Sequence, residues 1–74
     1  MAADSPTTDV AISGDEIPLG SFLKLAGVIE SGGDAKQRIA AGDVTVNGET
    51  ETRRGRKLRH GDVVELDEQR LRLT

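Results

Sequence analysis

The chain has 74 residues, with 10 Lys/Arg, 13 Asp/Glu, one His, no Cys and a net charge of −3. That length allows one small domain without a deep catalytic cleft, and the missing Cys excludes disulfides and thiolate metal sites. No apolar run nears the roughly 20 residues of a membrane helix, and no basic-then-apolar leader opens the chain, so a cytoplasmic protein without a membrane partner is expected.

Residues 1–9 are Ala/Ser/Thr/Asp/Pro-rich and lack periodicity, which predicts a disordered tail. Val10-Ala11-Ile12 alternates weakly, as a short edge strand would, and Ser13-Gly14-Asp15 supplies a turn. Leu19, Phe22, Leu23 and Ala26 fall at i, i+3, i+4 and i+7, one face of an amphipathic helix. Pro18 suits its first turn and Gly27 its C-terminal stop.

Ser31-Gly32-Gly33-Asp34 has capping-box spacing, with Asp in place of Glu. It predicts a second helix over Asp34–Ala41 that buries Ala35 and Ile39 and stops at Gly42. At 100° per residue, Lys36 and Arg38 lie on opposite sides of that buried face and cannot share one ligand surface.

Asp43–Val46 alternates as a strand. Asn47-Gly48 is a strong two-residue hairpin signal, because both positions need positive φ. Glu49–Thr52 is the expected return strand. Val64 with Leu66, and Leu71 with Leu73, give two more strands joined by a turn at Asp67-Glu68-Gln69. The expected architecture is α+β: two short helices packed on a small antiparallel sheet of four to five strands, in one domain spanning 10–74. Neither helix is long enough to stand alone, so both must bury their apolar faces on the sheet.

Charge is distributed unevenly. Residues 1–19 hold Asp4, Asp9, Asp15 and Glu16 and no positive side chain. The run Arg53-Arg54-Gly55-Arg56-Lys57-Leu58-Arg59-His60 holds half of the 10 Lys/Arg. A basic cluster between the hairpin and the next strand is a candidate anion site, and Gly55 lets its backbone bend towards a phosphate. A solvated loop balanced by Glu49, Glu51 and Asp62 is the plainer alternative.

From Leu19 to Leu66 the chain resembles the RNA-binding domain first seen in small-subunit ribosomal protein four, the S-four domain or αL motif. The resemblance is carried by Leu19–Ala26, Gly27–Ser31, Ala35, Ile39–Gly48 and Gly61–Leu66. Glu30–Lys36 and Asn47–Leu58 are similar to small stand-alone members of the group, the YaaA/YbcJ-like proteins. It implies a structured-RNA binder whose partner is ribosomal RNA, the ribosome or transfer RNA. In the wider family a Ser-Arg pair at the start of the second helix, and a basic residue four positions after that Arg, contact RNA. Ser31 and Lys36 match that pattern, and Gly32 stands where the Arg would be.

The expected RNA-binding residues are therefore Ser31, Lys36, Gln37, Arg38, Arg53, Arg54, Arg56, Lys57 and Arg59, with Lys24 as a further candidate. Arg matches phosphate oxygens through its planar fork, and phosphate contacts release counterions. Base stacking is not expected, since Phe22, the lone aromatic, lies on an apolar helix face. His60 reads as a surface turn residue, because no second His or Cys accompanies it. The acid pairs Asp15/Glu16 and Asp67/Glu68 read as solvated turns. Gly32-Gly33 lacks the Lys of a nucleotide loop. No enzyme activity, metal or cofactor is expected, and the chain is expected to be a monomer. The competing reading is a protein-interaction module whose basic loop docks on an acidic partner.

Overall fold

The computed structural model describes residues 6–74. In chain order it contains β1 (Thr7–Val10), β2 (Glu16–Pro18), α1 (Leu19–Leu25), α2 (Gly32–Ala40), β3 (Val44–Val46), β4 (Glu49–Thr50), β5 (Lys57–Arg59), β6 (Val63–Leu66) and β7 (Gln69–Leu73).

Pro18 is extended at φ −64 and ψ 145 and caps α1 without a side-chain bond. Leu19, Phe22 and Leu23 are buried, and the helix ends at Ala26 before Gly27, whose φ is +76. In α2 the Ser31 hydroxyl accepts from the Asp34 N–H at 3.2 Å, one half of a capping box. Because Ser31 is the cap, the helix starts at Gly32, two residues before the expected Asp34. Ala35 and Ile39 are buried, as the periodicity predicts.

Five strands form one sheet in the order β1-β7-β6-β3-β4. The Asn47-Gly48 turn joining β3 to β4 has φ of 52 and 86, the doubly positive geometry such a hairpin needs. Its Asn47 carboxamide also ties the turn to β6: Oδ1 accepts from the Val63 N–H at 2.9 Å, and Nδ2 donates to Asp62 at 3.1 Å. Registers Val44↔Leu66, Val46↔Val64 and Val64↔Leu71 put the apolar residues on one face. That face closes over Phe22, Leu23, Ile29 and Ile39 in a single apolar cluster.

Two expectations need correction. The sheet is mixed rather than antiparallel: β1 pairs in parallel with β7, from Thr7↔Arg70 to Val10↔Leu73. It also begins at Thr7, inside the stretch expected to be tail, and stops at Val10 instead of running to Ile12. Residues 1–5 of that expected tail lie outside the described residues. Alternation along a strand says which face is buried and nothing about direction, so the parallel partner was not readable. The second correction concerns the basic run. Lys57–Arg59 is itself a strand, paired antiparallel with β2 through Ile17↔Leu58 in a separate two-stranded sheet. Leu58 is fully buried in the core while Lys57 and Arg59 face solvent.

Candidate functional site

The loop entering β5 is organised by Glu51, a buried carboxylate among exposed cations. Its backbone N–H donates to the Val44 carbonyl at 3.0 Å, which fixes the residue against β3. Its side chain accepts from the Arg53 N–H and Nε at 3.0 Å each, from Arg53 Nη2 at 3.2 Å, and from Arg56 Nη1 at 3.2 Å. The Arg53 side chain and backbone bonds outweigh burial and hold the Glu51 carboxyl at about 2. Glu51 in turn raises the Arg53 guanidinium.

The same loop is fastened to α1. Helix N-termini leave unpaired N–H groups, and Pro18 offers no side chain to meet them. Here the Leu19 and Gly20 N–H groups donate to the carbonyls of Arg56 and Arg54 at 2.8 and 2.9 Å. The approach is close: a Cβ added at Gly20 would come into ordinary contact, 3.6 Å, with Arg54 Cβ and O. Arg54 thus stands beside α1, across a cleft of about 290 Å³ lined by Pro18, Gly20, Ser21, Lys24, Gly32, Ala35, Arg54 and Gly55.

The candidate residues separate into two groups. Lys24, Lys36, Arg54 and Lys57 are exposed and make no ion pair among the described residues. Lys36 lies one helical turn beyond Gly32, on the row that borders the cleft. The others are engaged. Arg53 and Arg56 bind Glu51, and Arg59 is 4.0 Å from Glu16. Arg38 bonds Asp43 at 2.8 Å and also Asp67, which ties α2 to the β6–β7 turn and raises its guanidinium, through Asp67 first and then Asp43. Arg38 is thus engaged towards the sheet, while Lys36 makes no ion pair among the described residues. Ser31 serves as the α2 cap, and Gln37 is exposed beside Lys36.

His60 donates from Nε2 to the Gly14 carbonyl at 2.8 Å, closing the turn after β5 onto the segment before β2. No group of three or more His, Cys, Asp or Glu among the described residues is placed to hold a metal ion. The outer face of the large sheet is charge-compensated: Arg70 pairs with Glu65 at 3.5 Å and Arg72 with Asp9 at 2.9 Å. Two of the unpaired cations, Lys24 and Arg54, instead line the cleft between the helices and the loop.

Sequence reasoning missed Glu51, treating it as one of several solvated acids in a return strand. β4 ends at Thr50, so Glu51 leaves the ladder of alternation just where its burial begins. An acid two residues before an Arg pair was the only signal, and a weak one.

Two short helices on a mixed five-stranded sheet, with a loop clasped to the first helix, define an S4-type α+β domain. A sequence profile described as the S4 domain matches residues 10–74, and the chain belongs to that family. It is 53% identical over 58 residues to the Probable ribosome maturation protein RlbA of Bacillus subtilis (strain 168), a match covering 78% of this chain and 82% of that protein. The fold is also similar to the crystal structure of the 30S ribosomal protein S4e from Thermoplasma acidophilum, with a TM-score of 0.62 and 22% identity. That match covers 81% of this chain and 32% of the other, so the chain spans about a third of that protein. No helix among the described residues is long and apolar enough to cross a membrane.

Proposed function

We propose that this protein is a non-catalytic binder of structured RNA, with ribosomal RNA or a ribosomal particle as its first target and transfer RNA as its second. The observation that carries this reading is the set of four exposed cations without ion-pair partners among the described residues, Lys24, Lys36, Arg54 and Lys57, two of which line one cleft, in a chain of the S4 domain family. A relative named as a ribosome maturation protein supports the ribosomal target. Those four side chains contact phosphates. Arg53 and Arg56 shape the loop and present their outer N–H groups, with Arg59 at its far edge. Ser31 orients α2, and Gln37 hydrogen-bonds the RNA backbone beside Lys36. Arg38 holds α2 to the sheet. With a single aromatic buried in the core, recognition is of RNA shape and phosphate positions.

The test is titration of a folded ribosomal RNA fragment at several salt concentrations, comparing the wild type with Lys36→Ala plus Lys57→Ala. Each lost phosphate contact lowers the log–log salt slope by about 0.7 to 0.9, so the double variant should be shallower by roughly 1.5. An unchanged slope in a folded double variant removes both residues from the interface. Capture from lysate with and without ribonuclease tests the partner class. A protein that stays bound after ribonuclease, with no ribosomal particle, would favour an acidic protein partner and overturn the RNA reading.

A further inference from the structure

The cleft between α1, the start of α2 and the 53–56 loop has features that a merely charged surface does not need. It encloses about 290 Å³, and no acidic side chain lines it. Lys24 and Arg54 stand on its walls without ion-pair partners among the described residues. Ser21 adds a hydroxyl to the lining, and Pro18 and Ala35 add a small apolar wall. The walls are fixed on three sides. Glu51 clasps the loop, α1 N–H groups hold the Arg54 and Arg56 carbonyls, and Ser31 caps α2. Gly32 and Gly55 also line the cleft, and an added Cβ at either meets nothing within 4 Å.

A rigid cleft with two unpaired cations, a hydroxyl donor and a short apolar wall fits a sugar-phosphate unit. The Arg fork and the Lys ammonium match phosphate oxygens. The volume sits at the lower end of small-ligand clefts, about 300 Å³, which suits one nucleotide. The walls carry no aromatic ring, so the base is left outside and the contact does not depend on its identity. We propose that this cleft seats a single nucleotide, its phosphate between Lys24 and Arg54 and its ribose against Pro18 and Ala35. The proposal rests on the RNA-binding reading and locates the deepest contact of that surface.

Gly32→Leu plugs the cleft without changing any charge. Gly32 is exposed at the first turn of α2 with room for a side chain, and Leu is the better helix former, so the domain should fold. Gly55→Leu plugs it from the loop side, also into open space. Each variant should bind a folded ribosomal RNA fragment about five- to tenfold more weakly than wild type, with a salt slope lower by about 0.7 to 0.9. Amide chemical shifts recorded with 5′-AMP should move at Gly20, Ser21, Gly32 and Gly55 in the wild type and stay still in Lys24→Ala plus Arg54→Ala.

If both plugged variants are folded and bind RNA as the wild type does, and 5′-AMP moves none of the cleft amides, the nucleotide seat is wrong while the RNA reading stands. If they bind RNA as the wild type does but 5′-AMP moves the cleft amides, the seat serves a free nucleotide and the RNA assignment of the cleft is overturned. If wild type binds no structured RNA at all, the broader reading fails and the proposal falls with it.

Discussion

Replacing Glu51 with Gln removes a negative charge from the middle of a basic loop. Counting charges alone, RNA binding should tighten. The structure predicts the reverse, because four donors converge on that carboxylate and set the path of the loop. The folded carboxyl lies at about 2 against an ordinary 4.5. At about 1.4 kcal/mol per pH unit, that gap corresponds to ~3.5 kcal/mol as an upper bound. Arg53, the main partner, has a side chain 76% exposed, so solvent screening reduces the figure to roughly 2 kcal/mol. A domain of this size has only ~5 kcal/mol in hand, so the variant should fold with a visibly lower midpoint in urea. With the clasp gone, ordering Arg53–Arg56 falls to the binding step, and RNA affinity should drop about threefold or more. Urea denaturation and RNA titration of the same preparation measure both effects. A folded Glu51→Gln protein that binds RNA more tightly than wild type would refute the clasp argument.

Acid unfolding follows from the same group. Its folded carboxyl is the stronger acid, so protonation favours the unfolded chain. The Glu51 contribution is complete above about pH 4.5 and disappears as pH falls towards about 2, and stability measured across that window should flatten in Glu51→Gln. Arg38→Ala releases α2 from Asp43 and Asp67 and should lower Tm by a few degrees, while the folded variant keeps wild-type RNA affinity; a tenfold loss of affinity would place Arg38 in the interface after all. Gly48→Ala meets no neighbour within 4 Å, so only its φ of +86 is strained, and it should cost about 1 kcal/mol in urea denaturation with an unchanged m-value.

Elements that depend on neighbours in sequence were readable. Leu19, Phe22 and Leu23 gave α1 its buried stripe, and Ser31 placed the start of α2 once its role as cap was recognised. Asn47-Gly48 fixed the hairpin through its own φ requirements. Elements that depend on distant partners were not readable. β1 is a strand because β7 lies alongside it, and Leu58 turns three residues of a basic run into a strand because Ile17 faces it. The candidate site divides in the same way. Its cations were evident as a charge cluster, but which of them are bound by acids is a matter of distance.

By itself the sequence determined the two helices, the hairpin, most of the apolar set that forms the core, Leu58 excepted, and the positive charge on an acidic chain. These follow from periodicity, turn chemistry and composition, which are local properties. Tertiary structure alone decided that Glu51 is buried, that Arg53 and Arg56 answer to it, and that Arg54 and Lys24 line one cleft without ion-pair partners among the described residues. The reason is that a carboxylate's burial and an arginine's partner are set by which backbones meet in space, and those meetings join residues the chain holds far apart.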